Sequence, residues 1–165
     1  MEHLRTGHPA PALCLLDQRG EPFDLAEHPR RDAAEYRRRD DARTVVYFFA
    51  GAFTPECTTQ ACDLRKNLAW LKGAGVGVVG VSGDDPQTLA EFDQRHGLPY
   101  PLLSDPDHAA ARAWGAWGTR TVDGRTSDGP LRATFVVGPD RSLQALYYRV
   151  DPATHANWLM RELGL

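Results

Sequence analysis

An α/β fold with a central sheet flanked by helices is predicted by two features of the chain. Short apolar runs of strand length alternate with longer stretches whose apolar residues recur at helical spacing, and Gly, Pro and Asp mark the boundaries between them. The 165 residues, 42% hydrophobic and 25% charged, fit one domain with a single core.

The elements follow in chain order. ALCLL, residues 12–16, reads as the first strand, with Cys14 as inert core. Residues 28–43 hold six arginines and four acids with almost no apolar content. That is the pattern of a charged insertion, either a solvated loop or surface helix or a docking surface for a partner. The run 44–49 is a strand. Residues 55–73 carry apolar positions at helical spacing, with Pro55 suited to an early helical position and Gly73 to a stop. The run 76–81 is another strand, and residues 86–96 form a helix opened by Asp84 or Asp85 and closed by Gly97. A shorter helix covers 108–114. Strands at 133–137 and 143–149 flank GPDRS, residues 138–142, a hairpin turn. The terminal helix spans 151–163, with Asp151 as N-cap and Pro152 in the first position. His96 and His155, near helix ends, read as surface residues.

The chemistry concentrates in TVVYFFAGAFTPECTTQACDLR, residues 44–65. A strand delivers Thr54 and Cys57 to the first turn of a helix, and Cys62 follows five residues later. The thiolate is the nucleophilic form of cysteine, yet a free thiol with a pKa of about 8.5 is only roughly 3% ionised at neutral pH. Unpaired backbone N–H groups and the helix dipole at a first turn favour the anion by about 0.3–2 kcal/mol, which leaves room for a fixed cation. Arg132, at the head of the apolar run RATFVV, is the candidate: a guanidinium stays charged and presents several donors. The Thr54 hydroxyl either caps the helix or faces the pocket of the sulfur, and the two uses are compatible. In a regular helix the Cα atoms of Cys57 and Cys62 lie roughly 9 Å apart, beyond the disulfide limit of about 7 Å. Bond formation between them requires the helix to unwind. The competing readings are two small buried residues, or a metal site, whose usual C-x₂₋₄-C spacing and second Cys/His pair are missing.

Other classes fit poorly. A net charge of −3 leaves no electrostatic footprint for nucleic acid. No run approaches the roughly 18 apolar residues of a membrane span, and MEHLRTGHPAPALCLLDQRG lacks the apolar core of an export signal, so a soluble cytoplasmic protein is expected. Three cysteines are too few for a disulfide scaffold, which makes a close pair catalytic, redox-sensing or metal-binding.

AFTPECTTQACDLR, GLPYPLLSDPDHAAARAWGAWG at 97–118 and GRTSDGPLRATFVVGPD at 124–140, in that order, resemble the peroxiredoxins, and within them the bacterioferritin comigratory protein or PrxQ type. The resemblance covers roughly residues 8–20 and 44–163. It implies a thioredoxin-like fold with a central mixed sheet and added elements, and reduction of hydrogen peroxide or organic hydroperoxides through a cysteine sulfenic acid. It assigns Cys57 as the peroxidatic cysteine, Cys62 as the resolving cysteine, and Thr54 and Arg132 as their active-site partners. Thioredoxin or a similar dithiol is the implied reductant, no cofactor is required, and a monomer or weak dimer is expected. Ala50 departs from the family, which usually has a shielding proline there. The alternative function is a peroxide sensor that relays oxidation to a partner protein. A general disulfide oxidoreductase is usually built on C-x₂-C, which this chain lacks.

Overall fold

The computed structural model describes residues 4–26, 43–122, 124–151 and 154–164. The bulk of the charged segment, 28–42, and Pro152 lie outside the described residues. Arg43, counted above with that segment, begins a central strand.

A mixed seven-stranded sheet runs in the order β2-β1-β5-β4-β3-β8-β9. Its members are β1 (Cys14–Asp17), β2 (Pro22–Asp24), β3 (Arg43–Phe48), β4 (Val76–Ser82), β5 (Leu102–Ser104), β8 (Ala133–Val137) and β9 (Leu143–Tyr148). Strands β3, β4 and β5 are mutually parallel, whereas β8 pairs antiparallel with β3, and β9 with β8. A separate hairpin joins β6 (Trp117–Val122) to β7 (Arg125–Pro130).

The core lies on both faces of the sheet, as period-two alternation dictates for a strand without a solvated side. Val45, Tyr47 and Phe49 point to one face, with Leu64, Leu71, Phe92 and Leu159 from the helices α1 (Pro55–Lys66), α2 (Leu68–Gly73), α3 (Pro86–His96) and α5 (His155–Glu162). Val46 and Phe48 point to the other, with Trp114 and with Ala110 and Ala111 of α4 (Ala109–Ala113). None of the described helices is long and apolar enough to cross a membrane.

Several expectations need correction. The first strand begins at Cys14, two residues later than expected, and Cys14 is exposed rather than core. Leu13 takes the inward position and alternation turns Cys14 out. The expected helix 55–73 is two, broken at Asn67, whose Nδ2 donates to the Asp63 carbonyl at 2.8 Å and so competes for a helical acceptor. The terminal helix starts at His155, with Thr154 rather than Asp151 at its N-cap. Strands β2 and β5, three residues each, and the β6–β7 hairpin were absent from the sequence reading.

Candidate active site

The chain leaves β3 at Phe48 and enters α1 at Pro55, which occupies the first helical position. Thr54 is the N-cap: its Oγ1 accepts from the Cys57 backbone N–H at 3.3 Å and donates to the Gly51 carbonyl at 3.2 Å. The hydroxyl is therefore engaged by backbone on both sides, the capping use of the two considered above. Cys57 falls at the third helical position and is buried, with 1% of its surface exposed.

The loop before the helix carries strain. Phe53 sits at φ 67°, the left-handed region that a bulky residue rarely adopts, with 42% of its surface exposed. Asp84 holds this loop: its Oδ2 accepts from the Ala52 N–H at 2.8 Å and from Ser82 Oγ at 2.7 Å. Asp85, not Asp84, caps α3 by accepting from Thr88 N–H, and that bond holds its carboxyl below the usual carboxylate range. Ala50 packs against the core cluster that contains Cys57. The loop that begins at Ala50 is thus fixed by a carboxylate at the exit of β4.

Arg132 reaches the sulfur because of strand register. Ala133 pairs with Phe48, which sets the preceding Arg132 beside the exit of β3, and the Arg132 carbonyl accepts from Val150 N–H at 2.9 Å. Its Nη1 donates to Cys57 Sγ at 3.2 Å and to Gln60 Oε1 at 2.8 Å. A permanent cation at that distance stabilises negative charge on sulfur.

Two further residues escaped the sequence reading. Gln60 is fully buried, and its Nε2 lies 3.3 Å from His155 Nδ1, while His155 Nε2 lies 2.8 Å from Thr134 Oγ1. An amide nitrogen can only donate, so Nδ1 accepts and the His155 proton sits on Nε2, toward Thr134. His155 is 1% exposed, which corrects its expected surface position. Burial, with the Arg132 charge adding to it, lowers its pKa to about 4. The spacing of Gln60 from Cys57, three positions along a helix, was a usable signal for a shared face; nothing in the sequence around His155 marked it.

Cys62 is not brought to Cys57. Five residues of unbroken helix turn it about 140° around the axis, and both residues are thiols here. Cys62 is half-buried, and its Sγ lies 3.9 Å from His96 Nδ1 at the end of α3. The His96 ring is half-buried too, rather than a surface residue, and packs 5.2 Å from the ring of Phe92 and 6.4 Å from that of Phe53.

A buried thiol at a helix start, faced by an arginine and carried on a mixed sheet with helices on both faces, belongs to the thiol redox proteins of the thioredoxin fold. Within that class the chain belongs to the AhpC/TSA family, whose model matches residues 6–146. It is 43% identical over 162 residues to a putative peroxiredoxin of Mycobacterium tuberculosis strain H37Rv, covering 98% of this chain and 96% of that protein. It is 36% identical to peroxiredoxin Bcp of Escherichia coli K12, covering 96% and 97%. A solved bacterioferritin comigratory protein of Xanthomonas campestris, studied for alkyl peroxide reduction, superposes with a TM-score of 0.77 at 28% identity over 92% of this chain and 90% of that one. The chain is thus similar to peroxiredoxins of the Bcp/PrxQ type along nearly its whole length.

Proposed function

We propose that the protein is a thiol-dependent peroxidase of the atypical two-cysteine type, acting on hydrogen peroxide and organic hydroperoxides. The observation that carries this reading is the 3.2 Å contact between Arg132 Nη1 and the sulfur of Cys57 at the head of α1. The Cys57 thiolate attacks the terminal peroxide oxygen, forming an S–O bond as the O–O bond breaks. Arg132 and the first-turn backbone stabilise the displaced oxygen, with Thr54 holding that turn in place. The leaving oxygen takes a proton and departs as water or an alcohol. Sulfur loses two electrons and the peroxide gains them, leaving Cys57 as a sulfenic acid. Cys62 then attacks that sulfur, water leaves, and thioredoxin or a similar dithiol reduces the disulfide by exchange. The alkyl peroxide reduction studied in the Xanthomonas campestris relative supports organic hydroperoxides as substrates.

Mass spectrometry of reduced protein treated with one equivalent of peroxide tests the assignment. The expected product is a Cys57–Cys62 disulfide. Cys57→Ser is expected to consume no peroxide, and Cys62→Ser to stop after one oxidation without dithiol-linked turnover. Retained turnover in Cys57→Ser would eliminate Cys57 as nucleophile, and one slow stoichiometric oxidation with a trapped mixed disulfide to a partner protein would put the sensor reading ahead.

A further inference from the structure

The second half of this cycle needs a nucleophile of its own. Cys62 is the eighth of the twelve residues of α1, past the first-turn N–H groups that favour a thiolate at a helix start, and the Arg132 guanidinium is engaged by Cys57 and Gln60 instead. A group that takes its proton is required, and the His96 contact supplies one.

We propose that His96 is a catalytic residue of the resolving step, with its Nδ1 accepting the Cys62 proton as that sulfur attacks the oxidised Cys57. The proposal rests on the assignment of Cys62 as the resolving thiol. Imidazole is the side chain suited to take up and release a proton near neutral pH. The neighbouring groups are unsuited to the task. Burial holds the Tyr100 phenol protonated, and Arg65 is a permanent cation that donates Nη1 to the His96 carbonyl. The two oxygens of Asp93 already accept from Leu98 N–H and Gln18 Nε2, each at 3.1 Å.

The anchoring of α1 keeps this pair together while Cys57 moves. Tyr100 Oη donates to the Ala61 carbonyl at 3.2 Å, and Arg65 ties the next turn to the end of α3. The first turn is held instead by the Thr54 cap and by Arg132, whose partner sulfur is the atom that oxidation alters. Unwinding from the N-terminal end therefore carries Cys57 toward a Cys62 that stays beside its imidazole. The step balances: the Cys62 S–H proton goes to Nδ1, the S–S bond forms, and the Cys57 S–O bond breaks. The departing hydroxide takes a proton from the imidazolium and leaves as water. Cys62 sulfur is oxidised and the sulfenic sulfur reduced.

The test is rapid-quench mass spectrometry after stoichiometric peroxide on the full chain, comparing native protein with His96→Phe, which keeps an aromatic ring against Phe92, and His96→Ala. Sulfenic acid is expected to form in all three. Disulfide formation is expected to slow by about a hundredfold or more in both variants, with sulfinic acid accumulating, and added imidazole is expected to accelerate the Ala variant in proportion to its concentration. Disulfide formation as fast as native, or faster, in the variants overturns the role of His96 while leaving Cys62 as resolving thiol. Absence of a Cys57–Cys62 disulfide in the native protein overturns the resolving assignment itself and this step with it.

Discussion

His155 lies between an amide that also binds Arg132 and a threonine of β8, so its protonation state belongs to the site as much as the sulfur does. Protonating it would set a second cation into the same buried network and remove the lone pair that accepts from Gln60. The sign follows from its depressed pKa, about 4 when folded against an ordinary 6.5. Between those values the unfolded chain binds more protons than the folded one, so stability is full above about pH 6.5 and declines as pH falls toward about 4. The loss amounts to about 3 kcal/mol, at about 1.4 kcal/mol per pH unit. His155→Gln cannot titrate, and its unfolding free energy is expected to fall less steeply than the native protein's over pH 6.5 to 4; equal slopes in denaturant titrations would mean that His155 binds its proton while folded. Arg132 and Cys57 were visible in the sequence because each stands in a recognisable local run. Gln60 and His155 were not, because their role lies in a hydrogen-bond chain closed by residues 95 positions apart.

At the scale of the element, the proposed cycle asks α1 to be stable enough to present Cys57 and loose enough to release it. Its N-cap would set that balance, since Thr54 satisfies the N–H of Cys57, the residue that moves in that proposal. Thr54→Val keeps the shape and removes the acceptor, a loss of about 1 kcal/mol. In the reduced protein, amide exchange of residues 57–61 is expected to quicken by about fivefold, with residues 62–66 less affected because Tyr100 and His96 hold that half. Uniform acceleration along the whole helix would mean that α1 opens as one unit. Legibility followed locality here. Helix α3 matched its expected bounds because Asp85, Pro86 and Gly97 mark both ends within the chain itself, Gly97 taking the left-handed φ of 60° that suits a C-cap. The start of α1 was readable from Thr54 and Pro55 for the same reason. The break at Asn67 turned on one side chain choosing a backbone carbonyl, and the β6–β7 hairpin on a turn in which Gly124 takes a left-handed φ of 76°, a signal that went unread. Three-residue strands such as β5 carry too few positions to show a period, and their partners alone define them.

Across the whole molecule, the strand order does what no local signal can: it joins residues 57 and 132 by pairing β3 with β8, and it runs a buried wire from the sheet to the helix. The central strands were legible as apolar runs because both of their faces are covered, but their neighbours were not, since register is settled only in the assembled sheet. The wire begins at Gly80 on β4, which pairs with Tyr47 on β3 and leaves room for its ring. Tyr100 donates to the Ala61 carbonyl, so Tyr47 Oη must donate to Tyr100 Oη, 2.9 Å away. A Cβ at position 80 would lie 2.9 Å from Tyr47 Cζ, closer than carbon atoms pack, and the ring is 1% exposed with its hydroxyl committed. Gly80→Ala is therefore expected to displace Tyr47 and to cost about 1–3 kcal/mol in urea unfolding. The displaced phenol also withdraws support from Tyr100 and hence from the anchored half of α1, so exchange at residues 62–66 should rise beyond the global change. In a Tyr47→Ala background the added methyl has no ring to push, and its cost is expected to shrink. Equal costs in the two backgrounds would show that the strand absorbs the methyl by itself, and that the sheet does not reach the active helix through Tyr47.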